Sequence, residues 1–213
     1  MRVMNKQGRS QSAVLVIEDE VGLREAIGNL FKSVGMEVQL FESVAELIKI
    51  GLPDTPSCLV LDVRLPGQSG LEFQEYLAKE DLHIPIVFIT GHGDIPMTVQ
   101  AMKNGAIEFL TKPFRDQDLL DAVRTGLEKA GEQHSVEAKV SDIRNRYQKL
   151  TPRERQVIEL VVSGLMNKQI AHQLAVSEIT VKVHRGNVMR KMQARSLAQL
   201  VRMADALEIR KSG

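Results

Sequence analysis

The feature that most constrains the fold is a repeated alternation in the first half of the chain. Five short apolar runs are separated by stretches with helical spacing: AVLVI (13–17), EVQLF (37–41), CLVL (58–61), IPIVFIT (84–90) and AIEFL (106–110). Runs of this length, bounded by turn residues, are typical of strands buried on both faces. The alternation predicts an α/β domain whose five-stranded parallel sheet is doubly wound, with helices on both faces.

Polar residues stand at the ends of four of these runs. Glu18 and Asp19 follow the first run, Asp62 follows the third, Thr90 closes the fourth and Lys112 comes after the fifth. The carboxyl ends of parallel strands meet at one edge of a sheet, where doubly wound proteins bind their ligands. Each residue alone has an ordinary alternative role as a helix cap or a surface charge. Their joint placement at four strand ends predicts a single site.

The predicted site combines three carboxylates with one ammonium group. Neighbouring acids disfavour joint ionisation, and a hard divalent cation such as Mg²⁺ offsets their repulsion. An exposed carboxylate beside Mg²⁺ can attack a phosphoryl donor, while the metal and a lysine neutralise the transferring group. This chemistry predicts that Asp62 accepts phosphate, with Mg²⁺ as the cofactor.

The net charge of +1 hides a division of the chain. Residues 11–130 hold ten Lys and Arg against nineteen Asp and Glu, a net charge of −9, whereas residues 150–213 hold eleven against five, a net charge of +6. The asymmetry predicts two domains with different partners, and the basic one is a candidate for nucleic-acid binding. The single cysteine, Cys58, excludes an internal disulfide. No stretch resembles a membrane span or a signal peptide, so we expect a cytoplasmic protein without a membrane partner.

The basic region has the pattern of a helix-turn-helix. Thr151 with Pro152 and Glu154 forms a capping-box start, and Gly164 ends that helix. The segments NKQIAHQL, AVS and EITVKVHRGNVMRKM then predict helix, short turn and helix, with Ser177 as the cap of the second helix.

The helical period separates two faces of that second helix. Val181, His184, Val188 and Met192 should pack inward, while the opposite face carries Ile179, Lys182, Val183, Gly186 and Arg190. We expect this helix to lie in the major groove, where Lys182 can donate to guanine and Val183 can contact a thymine methyl group. Arg185 and Lys191 lie to the side and suit phosphates better. A solvated basic face is the alternative.

The segment between the domains carries one apolar stripe. Val136, Val140, Ile143, Tyr147 and Leu150 recur at spacings of four, three, four and three residues. This spacing predicts a helical linker, which either assists dimer contact as a short coiled coil or remains a solvated helix with one apolar face.

Residues 13–130 resemble the receiver domain of bacterial two-component response regulators. The resemblance rests on the acid pair in VIEDE and on the stretches LDVRLPGQSG, ITGHG and FLTKPF, which occur in family order and spacing. It implies that Asp62 is the phosphoacceptor and that Glu18 and Asp19 hold Mg²⁺ together with the backbone carbonyl of Arg64.

The same resemblance implies roles for three further residues and one peptide bond. Lys112 would pair with the phosphoryl group, and the peptide bond that joins it to Pro113 is usually cis in the family. Thr90 would move to bond a phosphoryl oxygen, and Phe109 would be the aromatic switch.

Residues 150–207 resemble the LuxR-type four-helix DNA-binding domain, through LTPRERQVIEL, NKQIA and TVKVH. Joined to a receiver, this domain makes the chain similar to NarL/FixJ-type response regulators of the FixJ-like branch. The base-reading positions of the family fall on Lys182, Val183 and Gly186, although glycine has no side chain with which to read a base. The expected DNA-contacting set is completed by Asn167, Lys168, Thr180, Arg185, Arg190 and Lys191. A stripe on the last helix, which includes Leu197, Leu200, Val201, Ala204 and Leu207, would be the dimer surface, or simply part of the domain core.

These inferences predict a transcription factor controlled by phosphorylation, not an enzyme. The expected partners are a sensor histidine kinase, double-stranded promoter DNA, a second copy of the chain and, as a further candidate, RNA polymerase. The expected segments are a flexible N-terminus (1–12), the receiver (13–130), the linker (131–149) and the DNA-binding domain (150–213). Two alternatives stay open: a regulator that binds DNA without phosphate, and a phosphatase-like enzyme on the same α/β layout.

Overall fold

The computed structural model describes residues 12–91 and 95–209. The chain forms two compact units that divide between His134 and Ser135. The flexible N-terminus predicted for residues 1–12 lies outside the described residues, apart from Ser12. None of the helices in the described ranges has the length and apolarity needed to cross a bilayer.

The first unit contains the predicted five-stranded sheet. Its strands are β1 (Ala13–Ile17), β2 (Glu37–Phe41), β3 (Ser57–Asp62), β4 (Ile86–Thr90) and β5 (Glu108–Thr111). All neighbouring strands are parallel, in the order β2-β1-β3-β4-β5. Ile17 pairs with Leu61, and Thr90 pairs with Thr111. The strands therefore finish level with one another along one edge of the sheet.

Two strands begin later than the sequence predicts. β4 starts at Ile86 rather than at residue 84, and β5 covers Glu108–Thr111 rather than residues 106–110. Pro85 has no N–H group to donate to a strand ladder, although its carbonyl accepts a hydrogen bond from the Leu59 amide at 2.9 Å. The differences fall mainly at the amino ends, so Thr90 still closes β4 as predicted.

Helices cover both faces of this sheet. They are α1 (Val21–Ser33), α2 (Val44–Ile50), α3 (Gly70–Lys79), α4 (Ile95–Lys103) and the first part of α5 (Asp116–Gln148). Leu15 packs in one buried cluster with Phe73 of α3, whereas its neighbour Val14 packs in a second cluster with Phe31 of α1. Consecutive residues of β1 thus point to opposite cores, as a doubly wound sheet requires.

The second unit is entirely helical in its described part. It contains the end of α5 together with α6 (Pro152–Val162), α7 (Asn167–Gln173), α8 (Glu178–Met192) and α9 (Leu197–Ala206). The predicted capping box is present, because Glu154 N–H donates to Thr151 Oγ1 and Thr151 N–H donates to Glu154 Oε2. Ser177 Oγ accepts from the amide of Thr180 at 3.1 Å and so starts α8 as predicted. This confirms the four-helix domain with a helix-turn-helix.

The apolar stripe of the predicted linker is used largely within the second unit. Leu150 is buried, and Ile143 and Tyr147 pack against the core that α6, α8 and α9 share. Among the stripe residues, Val136 alone is largely exposed, at 59%. These three side chains therefore stabilise their own unit, and a role of the linker in dimer contact stays a prediction.

The stripe on α9 is divided in the same way. Leu200 and Ala204 are buried in the core of the second unit, while Leu197 is exposed. A dimer surface on α9 would therefore have to rely on Leu197 and on its partly buried neighbours, Val201 and Leu207.

Candidate functional site

The edge where β1 and β3 end brings three carboxylates together. One oxygen of each of Glu18, Asp19 and Asp62 lies within 4.8 Å of the others. Glu18 is 1% exposed and Asp62 is 5% exposed, whereas Asp19 is open to solvent. Three hard oxygen donors with one accessible side form a donor set that suits Mg²⁺, which is bound through few carboxylates and keeps several waters.

Lys112 joins this cluster from the loop after β5. Its Nζ donates to Glu18 Oε2 and to Asp62 Oδ2, both at 2.6 Å. The Lys112 amide also donates to the carbonyl of Thr90 at 2.7 Å, and the peptide bond to Pro113 is cis. A single ammonium group thus bridges two buried carboxylates whose charges would otherwise repel.

The electrostatics of the cluster follow from this burial and pairing. Burial raises the pKa of Glu18 and the charge of Asp62 adds to the increase, while the hydrogen bond from Lys112 opposes it. Burial would lower the pKa of Lys112, but its bonds to Asp62 and Glu18 outweigh that effect and raise the pKa. The ammonium group therefore stays charged at neutral pH and remains a fixed positive charge beside Asp62.

The loop after β3 closes tightly on Asp62. Arg64 N–H donates to Asp62 Oδ1 at 2.9 Å, and the Arg64 side chain itself is exposed. α3 begins at Gly70, where an added Cβ would lie only 2.4 Å from the carbonyl oxygen of Asp62. Glycine is needed here because any side chain would collide with the backbone at the site.

The two residues predicted to switch lie on neighbouring strands. Thr90 is fully buried at the end of β4. Phe109 in β5 is half-buried, and its ring centroid lies 6.1 Å from that of Phe88 at a tilt of 43°. Phe109 packs against the buried cluster that includes Ala101 of α4, and α4 contacts β5.

The second candidate surface lies on α8. Val181, Val188 and Met192 are buried and His184 is half-buried, which confirms the predicted inner face. The opposite face is exposed along its length: Ile179 (74%), Lys182, Val183, Gly186 and Arg190. This face presents two cations, Lys182 and Arg190, beside the apolar side chains of Ile179 and Val183.

Other predicted DNA contacts lie around this face. Lys168 of α7 is exposed. Arg185 Nη1 donates to Asn167 Oδ1 at 2.6 Å, which ties the start of α7 to α8. Thr180 is half-buried and its hydroxyl lies 2.9 Å from that of Ser177. Arg185 and Asn167 are therefore joined by a hydrogen bond, whereas the sequence analysis predicted them as two separate DNA contacts.

Lys191 forms an ion pair inside the second unit. Its Nζ donates to Glu154 Oε2 at 2.7 Å and to the carbonyl of Lys149 at 3.3 Å. Glu154 is buried, and burial would raise the pKa of its carboxyl group, but the bonds from Lys191 and Thr151 hold that pKa below its usual value. Lys191 thus neutralises a buried carboxylate within the unit, and its contact with a DNA phosphate stays a prediction.

Comparison with known proteins identifies both units. Residues 14–124 match the family described as "Response regulator receiver domain", and residues 148–204 match "Bacterial regulatory proteins, luxR family". The chain belongs to the NarL/FixJ-type response regulators. Nodulation protein W of Bradyrhizobium diazoefficiens is 53% identical to this response regulator over 203 residues, which cover 95% of this chain and 89% of that protein.

Other relatives are similar to this chain along nearly its whole length. Transcriptional regulatory protein FixJ of Azorhizobium caulinodans is 46% identical over 191 residues, covering 90% of each chain. The solved structure of response regulator StyR matches with a TM-score of 0.81 and 48% identity, over 92% of this chain and 99% of that one. Full-length FixJ from B. japonicum matches with a TM-score of 0.55 and 38% identity, over 95% and 100%. These relatives place the chain in the FixJ-like branch.

One residue that positions the acid pair of this response regulator was missed from the sequence. Arg24 in the first turn of α1 donates through Nη1 to the carbonyl of Glu18 at 2.6 Å and to that of Asp19 at 3.1 Å. It therefore fixes the backbone from which both carboxylates project. A basic residue one turn into the helix after an acid pair was the available signal.

Proposed function

We propose that Asp62 accepts a phosphoryl group from a sensor histidine kinase, and that this shifts the response regulator towards a homodimer that binds promoter DNA. The observation that carries the proposal is the position of Asp62: at the end of β3, with Glu18 within 4.8 Å and Lys112 Nζ at 2.6 Å. A carboxylate oxygen of Asp62 forms the new bond to phosphorus while the bond from phosphorus to the kinase histidine breaks. The histidine nitrogen keeps that electron pair and takes up a proton.

Glu18, Asp19 and Asp62 would hold Mg²⁺, with the backbone carbonyl of Arg64 as a further ligand. When bound, the metal supplies positive charge that stabilises the transferring phosphoryl group. Lys112 supplies a second positive charge from the loop after β5 and pairs with the phosphoryl oxygens once Asp62 is modified.

The switch would run through Thr90 and Phe109. Thr90 bonds a phosphoryl oxygen, and Phe109, which has no hydroxyl group, responds by repacking beside Phe88. The neighbouring helix supports a dimer at this face, because Ile95 (80% exposed), Val99 and Met102 leave apolar surface open on α4.

The exposed face of α8 would read DNA. Lys182 donates to a base and Val183 contacts a thymine methyl group, while Thr180, Lys168 and Arg190 contact the backbone of the duplex. Arg185 acts with Asn167 as one bonded pair. The relatives carry names such as "Transcriptional regulatory protein", which supports a role in transcription. The proposal also includes action at promoters in the cytoplasm, RNA polymerase as a further partner and no catalytic turnover.

Labelling with a small phosphodonor tests the acceptor. The full chain treated with acetyl phosphate and Mg²⁺ should gain one acid-labile phosphoryl group, mapped to Asp62 by mass spectrometry. Asp62→Asn keeps the shape but removes the nucleophile, so it should remain unlabelled. Equal labelling of wild type and Asp62→Asn would show that another residue is the acceptor.

A thermal melt tests the metal site. A cation that relieves the repulsion among Glu18, Asp19 and Asp62 should stabilise the wild type by about 2.7 kcal/mol at a hundredfold excess over its Kd. Asp62→Asn removes one charge and should reduce that gain. A wild-type melting temperature that does not respond to millimolar Mg²⁺ would contradict the site, whatever the labelling result.

A further inference from the structure

The first turn of α8 presents an isoleucine that its own unit does not use for packing. Ile179 is 74% exposed, which makes it the most exposed large apolar side chain described in the second unit. The core of that unit takes Val181, Val188 and Met192 from the same helix, and Ile179 is not among the described side chains that pack against this core. An aliphatic group is therefore available to a binding partner at the start of α8.

A second aliphatic side chain continues this surface one turn later. Val183 is 57% exposed and follows Ile179 by four residues, so both lie on the same face of α8. A single exposed apolar residue is common on protein surfaces and needs no explanation. Here two of them share a face with Lys182 and Arg190. They therefore form an apolar strip inside the surface that is expected to contact DNA.

The surroundings of Ile179 indicate a contact with bases. The first turn of α8 contains Glu178 and Thr180 beside Ile179, and it contains no cation that could pair with a phosphate. The amino-terminal residues of a recognition helix are the ones that approach base edges in the major groove. An isoleucine side chain can neither donate nor accept a hydrogen bond, and the apolar feature of the major groove is the C5 methyl group of thymine.

We propose that Ile179 is a specificity-determining residue that, together with Val183, packs against the methyl groups of two thymines in the DNA that one copy of α8 reads. The inference rests on the proposed function, in which the exposed face of α8 reads DNA. Four helical residues span about 6 Å along the helix axis, and successive base pairs are about 3.4 Å apart. The two thymines should therefore lie within roughly two base-pair steps of each other.

Deoxyuridine tests the contact, because it is thymidine without the C5 methyl group. The full chain, treated with acetyl phosphate and Mg²⁺, first selects its site from a pool of random DNA duplexes. Each thymine of that site is then replaced in turn by deoxyuridine, and the Kd is measured at one salt concentration. Loss of one buried methyl group should weaken wild-type binding about 4-fold at each of the two thymines.

Single variants connect each thymine to one side chain. In Ile179→Ala, uracil at one of the two thymines should cost less than about 2-fold in affinity, while uracil at the other keeps its full cost. Val183→Ala should show the reverse pattern. Ile50→Ala is the matched control, because Ile50 is an exposed isoleucine (64%) at the end of α2 in the first unit. This control should retain both uracil costs.

The outcomes separate this inference from the proposed function. A selected site in which no thymine is sensitive to uracil, or in which Ile179→Ala leaves both uracil costs unchanged, would overturn the inference while DNA reading by the chain stands. An Ile179→Ala defect of equal size on thymine and uracil DNA would point to a protein partner at Ile179 and would overturn it too. If the full chain selects no sequence, the proposed function fails and the inference fails with it.

Discussion

At the scale of single residues, Gly186 is a position where the packing of its own domain does not require glycine. It lies in the middle of α8, it is exposed, and an added Cβ would meet no described atom within 4 Å. Glycine costs a helix interior about 1 kcal/mol relative to alanine. A glycine that the fold does not need suggests that the backbone of α8 approaches DNA closely at this point.

Gly186→Ala should raise the free energy of unfolding by up to about 1 kcal/mol and weaken specific DNA binding. The gain in stability follows from the higher helix propensity of alanine. The loss of affinity follows from a methyl group placed where the backbone of α8 comes closest to the DNA. Denaturant unfolding and a binding titration measure the two effects. Gly131→Ala in α5 is the matched control, because a Cβ there also meets nothing within 4 Å. This control should raise the free energy of unfolding and leave DNA affinity unchanged. Unchanged DNA affinity in Gly186→Ala would mean that the position is unused.

The pair formed by Lys191 and Glu154 makes a second prediction at this scale. Lys191→Met leaves a buried carboxylate without its cation and should cost about 1–3 kcal/mol of unfolding free energy. Lys182→Met on the exposed face of the same helix should change stability by less than about 0.5 kcal/mol. If the two variants are equally stable, the pair does not support the fold.

The pH dependence of the same pair has a defined sign. The pKa of Glu154 is lower in the folded chain than its usual value of 4.5, so the ionised form stabilises the fold above that value. This stabilisation is lost as the pH falls through the folded pKa. Unfolding free energies measured from neutral pH down to about pH 3 should therefore fall less steeply for Glu154→Gln than for the wild type. A parallel decline in both would contradict the shift.

The sequence predicted the strand-end residues of the site, but it did not predict the contacts that Lys191 and Arg24 make. Glu18, Asp62 and Lys112 could be grouped because parallel strands end at one edge, whatever the details of packing. The role of Lys191 could not be predicted, because helical periodicity gives an angle on α8 but not the buried carboxylate that α6 places beside it. Arg24 was missed because its acceptors are backbone carbonyls, so its position one turn into α1 was the one sequence signal for this contact.

At the scale of elements, strands were predicted best where their ends carry polar residues. The amino ends of β4 and β5 were misplaced, because apolar residues such as Ile84 and Ala106 continue the pattern beyond the hydrogen-bonded ladder. The stripe on the linker left dimer contact and a solvated helix open as alternatives, because a seam between chains and a seam against the neighbouring helices have the same spacing.

The contact between α5 and β3 gives a prediction about packing. An added Cβ at Gly126 would lie 2.4 Å from Cys58 Sγ and 3.3 Å from its Cβ. Gly126→Ala should therefore cost about 1–3 kcal/mol by overpacking, despite the better helix propensity of alanine. Chemical denaturation measures this cost.

The double variant separates this contact from other effects. Cys58→Ala removes the sulfur, so Gly126→Ala should cost less in that background, with a coupling of at least about 0.5 kcal/mol. Gly131→Ala, in the same helix but without a neighbour, should show no coupling to Cys58→Ala. If the unfolding free-energy changes of Gly126→Ala and Cys58→Ala simply add, α5 shifts away from Cys58 instead of colliding with it.

At the scale of the whole molecule, an acidic receiver and a basic DNA-binding domain occur in one chain, with net charges of −9 over residues 11–130 and +6 over residues 150–213. The charge difference fits a division of labour between phosphoryl chemistry with Mg²⁺ and binding to a polyanion. Sequence alone predicted both functions, because each depends on local motifs. Coupling between them depends on the energy difference between two conformations, which motifs do not encode.

The most direct test of the central claim is DNA affinity with and without phosphorylation at Asp62. Wild type and Asp62→Asn are titrated onto promoter DNA before and after treatment with acetyl phosphate and Mg²⁺, at one salt concentration. With a coupling free energy between phosphorylation and DNA binding of the size usual for allosteric proteins, phosphorylation should tighten wild-type binding by about 5- to 150-fold. The DNA affinity of Asp62→Asn should stay unchanged. Wild-type affinity that stays the same after complete labelling of Asp62 would contradict phosphorylation control.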